Sequence, residues 1–424
     1  IYGMNLTLYL AANIMTAKTI KETLSIISEH SVDLVFMNND AYVQDVADEL
    51  FTYLEKNMLS IPLFVIGNTK VGREEIEKFE SHGQLRNVIQ SIAKSKSITA
   101  KMMAEADHPL YYPLPMEFMI AGWQTLVEIF IKNPDGYKVV FGTEEIIFAE
   151  QLDEHLAGNN SQLYVLREKR LKFVNSITLQ ITAKLNNPNL SSEDRLSFTG
   201  VAFQMVMEQA RQVGVAESTM ELAKKCIDSM NEIVKTIPTL DKLLKDLMDN
   251  TGSYRYKQSL LINYIGSHII KKTKYPSKAQ QEIFSFVSFF HNIALSKDKY
   301  AQIHSDQELK ESDLSQEEKE LITKHAILAA KLVSDSANKI PYEAAIILKQ
   351  HHGSSRGLGL SNLTASISPL AIIFLFAQEW TNIVLMYQND EKRPNKKEII
   401  KMLQKKYPLQ GFHNIISTLD TLEL

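Results

Sequence analysis

Short apolar runs alternating with amphipathic stretches fill the first hundred residues. Residues 5–11, 33–37 (Asp-Leu-Val-Phe-Met) and 61–66 (Ile-Pro-Leu-Phe-Val-Ile) have strand length. Residues 16–31, 42–56 and 85–93 instead repeat apolar positions at helical spacing. Unbroken apolar strands are buried on both faces, so the alternation predicts a parallel sheet flanked by helices over 1–105. The pattern changes over 109–172. Residues 125–131 alternate like a half-buried strand, Asn133-Pro134-Asp135-Gly136 is a turn, and 139–142 and 162–166 are further strands around a helix near 147–155. This predicts a small α+β domain. Residues 173–250 read as a helical connector, interrupted at Asn187-Pro188 and Gly214, and 251–424 as an all-α domain. The fold class expected is therefore multidomain and mainly α.

The order and spacing of the first elements resemble a response-regulator receiver domain entered at its second strand. That resemblance carries a chemical test. The phosphoacceptor Asp of a receiver would fall at Asn38, the Ser or Thr ending the next strand at Gly67, and the Lys-Pro pair has no counterpart before 85–93. An amide is a poor nucleophile towards a phosphoryl group and a weaker Mg²⁺ ligand than a carboxylate. Asp40 follows two residues late. The expectation is a pseudo-receiver serving dimerisation or docking.

Composition narrows the class further. The 424 residues are 45% hydrophobic and 23% charged, with a formal charge of −4, which gives no electrostatic reason to expect a nucleic-acid polymer or an anionic membrane as partner. One cysteine, Cys226, excludes an internal disulfide framework, suits a reducing cytoplasm and reads as a small apolar filler in a helix. The longest apolar patches, such as 369–377, look core-length rather than membrane-spanning, so no membrane insertion is expected. No secretory signal pattern opens the chain. It begins at Ile1 rather than an initiator methionine, which leaves room for residues upstream.

The most informative stretch is 351–360, His-His-Gly-Ser-Ser-Arg-Gly-Leu-Gly-Leu. Read with 253–262, 289–295, 324–331 and 371–379, it resembles the HD-GYP domains of bacteria. These are all-α, metal-dependent phosphodiesterases that hydrolyse cyclic di-GMP. The resemblance covers about 170 residues, 251–424, and rests on the order and spacing of five motifs. His291, His325, His351 and His352 occupy histidine positions of the family. Its acidic and remaining positions have changed: Gln258 stands for the first His, Asn292 for the Asp after His291, and Leu295 for the Lys. Gly353 replaces the Glu after the pair, Arg356 a loop Asp, Leu360-Ser361 the Tyr-Pro, and Gln378 the terminal acid.

The substitutions matter because phosphodiester hydrolysis of this kind holds two or three cations side by side, and these need a bridging carboxylate. Asn292, Gln258 and Gln378 offer one neutral oxygen each. The expectation is a catalytically inactive HD-GYP-like signalling or scaffold protein, cytoplasmic, acting by contacts with other proteins including a second copy of itself. No cofactor is expected. The alternative is one divalent ion (Fe, Mn, Zn or Ni) at His291, His325, His351 and His352. Arg356, Gly357, Gly359 and Lys324 are candidates for binding cyclic di-GMP without turning it over. Against this stands an active phosphodiesterase with an atypical metal site that recruits Glu379 or Asp298. The basic cluster 392–397 reads as solvated surface.

Overall fold

Four consecutive apolar residues explain the first sheet. β1 (Val35–Asn38), β2 (Leu63–Ile66) and β3 (Ile76–Phe79) run parallel in that order, with Val35 opposite Leu63 and Leu63 opposite Ile76. Every residue of the central β2 is buried, because successive side chains serve opposite faces. Leu63 and Val65 join Ile27, Ala47, Leu50 and Leu54, from helices Ile20–Glu29 and Val46–Lys56. Phe64 and Ile66 join Phe79, Leu6, Leu10 and, from helix Leu85–Ser95, Val88 and Ile92. Two expectations change here. The stretch 5–11 is not a strand at its described positions: Leu6 and Leu10 are helical, and their spacing of four puts both on one helix face. β3 was not foreseen, since Ile-Glu-Lys-Phe at a sheet edge carries no apolar run.

The structure is a computed structural model. It describes the chain apart from residues 1–5, 7–9, 11, 18, 40–45, 67–75, 80–84, 100–101, 103–109, 115–118, 120–122, 134, 149–150, 152–162, 214–216, 251, 275, 335–339, 361–365, 388–392 and 424. Asp40, Gly67, Gly214, Ser361, Lys392 and most of the helix expected over 147–155 lie outside the described residues. Chain contacts divide the protein into two compact units. One comprises Ile1–Asp107, Gln209–Glu217 and Phe290–Ala371, the other His108–Glu208, Ser218–Phe289 and Ile372–Leu424.

Besides the parallel sheet, the first unit contains short helices Asp298–Ala301 and Asp306–Glu311, then the packed pair Gln316–Ser334 and Tyr342–Gln350. The second unit holds an antiparallel sheet of β4 (Tyr111–Leu114), β5 (Ile129–Asn133), β6 (Gly136–Phe141) and β7 (Leu163–Leu166). Their order is β4-β7-β5-β6. Its helices pack through aromatic residues: Phe203 meets Tyr256 at 5.8 Å and Phe289 at 5.0 Å, and the Tyr256 hydroxyl donates to Leu196 O at 2.9 Å. Cys226 is buried there, its thiol donating to Thr199 O at 3.3 Å and pushed well up in pKa by burial.

Helix Tyr254–Lys272 is buried on nearly all sides, so its apolar positions show little preference for one face. Gly266 lets it approach helix Lys278–Phe290: a Cβ there would lie 1.9 Å from Phe284 Cζ. Helix Pro369–Met386 extends beyond the apolar patch 369–377. It has 18 residues and a mean hydropathy of 1.5, long and apolar enough by composition to cross a membrane, yet 67% of it is buried within the protein. Glu379 on this helix accepts from Lys406 Nζ at 2.7 Å and the Tyr407 hydroxyl at 2.8 Å.

Candidate metal centre

The end of one helix delivers two of the histidines together. Helix Tyr342–Gln350 stops with His351 as its C-cap, and Gly353, at φ +84°, donates its N–H back to Gln350 O at 2.8 Å. The turn brings the adjacent rings of His351 and His352 to 4.1 Å between centroids, both facing the third histidine, His325 of helix Gln316–Ser334. All three are at least nine-tenths buried.

The hydrogen bonds decide which nitrogens face inward. His325 Nδ1 lies 2.6 Å from Ile322 O, and His351 Nδ1 lies 2.6 Å from Leu348 O. A carbonyl only accepts, so both Nδ1 atoms carry the proton and both Nε2 atoms present lone pairs. Those Nε2 atoms stand 3.2 Å apart, and His352 Nε2 stands 3.0 Å from His325 Nε2. A proton on His352 Nε2 would satisfy the second contact; the first is then left as lone pair against lone pair. An extra proton is disfavoured, because burial lowers His325 to about 4 and holds His351 and His352 well below the ordinary histidine value, with neighbouring histidines adding to the effect.

A cation fits this gap. With metal–nitrogen bonds of about 2.0–2.1 Å, two nitrogens on one ion stand about 2.9 Å apart at a right angle and about 3.4 Å apart at a tetrahedral one. The two separations from His325 Nε2, 3.2 Å to His351 and 3.0 Å to His352, fall between those limits. Among the described residues, His325, His351 and His352 are the group whose ligand atoms come together, all within 4.8 Å of one another, and no carboxylate belongs to it. The donor set thus suits one ion and lacks the bridge a multinuclear centre needs.

His291, in the turn after Phe290, is buried and packs its ring 5.6 Å from that of His351, outside the group of three. Asn292 is buried beside it in sequence, and its carbonyl accepts from Leu295 N at 2.9 Å. Gln258 and Gln378 belong to the second compact unit. There Gln258 Nε2 donates to Asn382 Oδ1 at 2.7 Å, and Gln378, one helical turn before Asn382, is buried with no hydrogen-bond partner for its Oε1 among the described residues. Glu379, a candidate to replace the lost acids, is occupied by Lys406 and Tyr407. His304 was missed by the sequence reading. It is half-buried, close enough to lower the basicity of His352, and belongs to no motif that could have marked it.

The glycine-rich loop spends its backbone donors internally. Gly357 N–H donates to Ser354 O at 3.1 Å, Leu358 N–H to Ser354 Oγ at 3.4 Å, Gly359 N–H to Thr323 O at 3.2 Å, and Leu360 N–H to Asp306 Oδ1 at 2.9 Å. Gly357 sits at φ +75° with a would-be Cβ 2.8 Å from Lys349 O, so this glycine serves a close backbone approach within the fold. Of the candidate phosphate contacts, Arg356 is exposed and Lys324 is paired with Glu320.

No protein-family model matches the chain, and no curated protein matches it. Among solved structures it is similar to one described as an HDG"Y"P protein from Bdellovibrio bacteriovorus. The two are 16% identical over 73% of this chain and 98% of that one, with a TM-score of 0.47.

Proposed function

We propose that this chain is a cytoplasmic signalling protein of HD-GYP-like design that holds one divalent cation at His325, His351 and His352 and does not hydrolyse cyclic di-GMP. The observation that carries this reading is the convergence of three Nε2 atoms in a group without a carboxylate among the described residues. A bound ion would supply positive charge and a rigid tie between helices Gln316–Ser334 and Tyr342–Gln350. The chain's own part is to orient the rings, through Ile322 O and Leu348 O, and to exclude water by burial.

Output would then pass through protein contacts. Asn38 ends β1 where a receiver carries its phosphoacceptor, which supports a pseudo-receiver used for docking to partners or to a second copy. Cyclic di-GMP as a regulatory ligand draws less support, since the loop donors at 357–360 are engaged within the fold.

The test is turnover and metal content of untagged protein. With Mn²⁺ or Fe²⁺ supplied, hydrolysis of cyclic di-GMP should not exceed that of a His351→Ala control, and metal analysis should find one ion per chain. Turnover above the control, or two ions per chain, would favour the active phosphodiesterase instead.

A further inference from the structure

We infer that the ion taken by this site belongs to the imidazole-preferring class, Zn²⁺, Ni²⁺, Cu²⁺ or Co²⁺, and not to the Mn²⁺ and Mg²⁺ class. The inference rests on the single-cation reading above and specifies which chemistry that site selects. Its basis is the donor set. Three neutral imidazole nitrogens converge, and two of them have their tautomer pinned by a carbonyl three residues earlier in the same helical stretch. Mn²⁺ and Mg²⁺ are held by oxygen ligands and anionic charge, neither of which the group offers. Neutral imidazoles instead favour the later divalent ions, whose affinity rises along the series through Co²⁺ and Ni²⁺ to Cu²⁺. Glu320, on the helix that carries His325, pairs with Lys324, and Asp306 accepts from Leu360 N–H.

The three ligands come from one helix and the turn that ends another packed on it, so the ion ties neighbouring elements together and its binding registers as stability. The His325 and His351 rings are already oriented by backbone carbonyls, and the Nε2 spacings from His325 are 3.0 and 3.2 Å.

The experiment uses the untagged full chain, stripped with a chelator and titrated with Co²⁺ while its visible absorption is followed. Zn²⁺, Mn²⁺ and Mg²⁺ then serve as competitors, and the thermal midpoint is read in each metal. One Co²⁺ per chain is expected, displaced by one equivalent of Zn²⁺. Mn²⁺ and Mg²⁺ should leave the band and the midpoint unchanged even at about 100-fold excess. His351→Ala should lose the band. His352→Gln, at the least buried of the three positions, should weaken Co²⁺ binding while keeping the helical circular dichroism spectrum. Equal competition by Mn²⁺ with one ion still bound would overturn the selectivity and leave the single-cation reading standing. Two or more ions per chain, or none of any metal, would overturn that reading itself.

Discussion

Glu318 shows how one carboxylate can be tied down at the surface. It accepts from the Tyr300 hydroxyl at 2.6 Å and from Ser315 N–H at 2.9 Å, and Lys299 stands 3.5 Å away. These bonds, the tyrosine's first, lower its pKa to about 2. The folded value lies below the ordinary 4.5, so the stabilisation is present above pH 4.5 and is lost as the pH falls towards 2. The thermal midpoint of the native chain should therefore fall across that window more steeply than that of Glu318→Gln, and the two should converge at the acid end. Parallel curves would refute the assignment.

Half of this arrangement was written locally. Ser315 and Glu318 form a reciprocal capping box at fixed spacing, whereas Tyr300 lies 18 residues upstream, where no local rule applies. The histidine centre divides similarly. His325, His351 and His352 stand out by spacing, but the convergence of their Nε2 atoms depends on Ile322 O, Leu348 O and the turn at Gly353. His304 enters its neighbourhood only through the path of the chain.

At the level of elements, helix Tyr254–Lys272 depends on one missing side chain. Phe284, fully buried and also 5.6 Å from Phe374, fills the space over Gly266. Gly266→Ala should overpack this contact and destabilise the protein by about 1–3 kcal/mol, measured by urea denaturation. A stability equal to or above that of the native chain would mean that the two helices part freely. Glycine at this position gave no sign of its role in the sequence, since an all-round buried helix has no polar face against which to judge it.

The strands show the same limit from the other side. β2 was legible because both its faces are buried, whereas β3 was not because Ile-Glu-Lys-Phe carries no apolar run. The error over 5–11 was one of period. Alternating leucines suit a strand, yet Leu6 and Leu10, four apart, also share one side of a helix, and the sheet face they cover selects the helix. The apolar patch 369–377 ends where Gln378, Glu379, Thr381 and Asn382 break the run, although burial continues through Val384 and Leu385.

Within the second unit, the end of the chain is stitched to much earlier segments. Lys396 Nζ donates to Asp420 O at 2.8 Å and Leu422 O at 3.0 Å, Leu240 N–H donates to Glu423 O at 2.9 Å, and His268 Nε2 meets Thr421 Oγ1 at 2.9 Å. The cluster read as plain solvated surface at 392–397 therefore includes a lysine holding two backbone carbonyls, and Arg393, 3.4 Å from Asp241. Leu422 is fully buried. Deleting 420–424 should cost about 2–4 kcal/mol of unfolding free energy, more than Lys396→Met alone. An unchanged thermal midpoint would show the segment to be ornamental.

These stitches also set a timetable. During synthesis His268 leaves the ribosome 153 residues before its partner Thr421, a wait on the order of ten seconds at cellular elongation rates. Through that interval helix Tyr254–Lys272, buried on nearly all sides in the folded protein, lacks part of its packing, and the newborn chain must be sheltered or remain collapsed until residues 420–423 arrive.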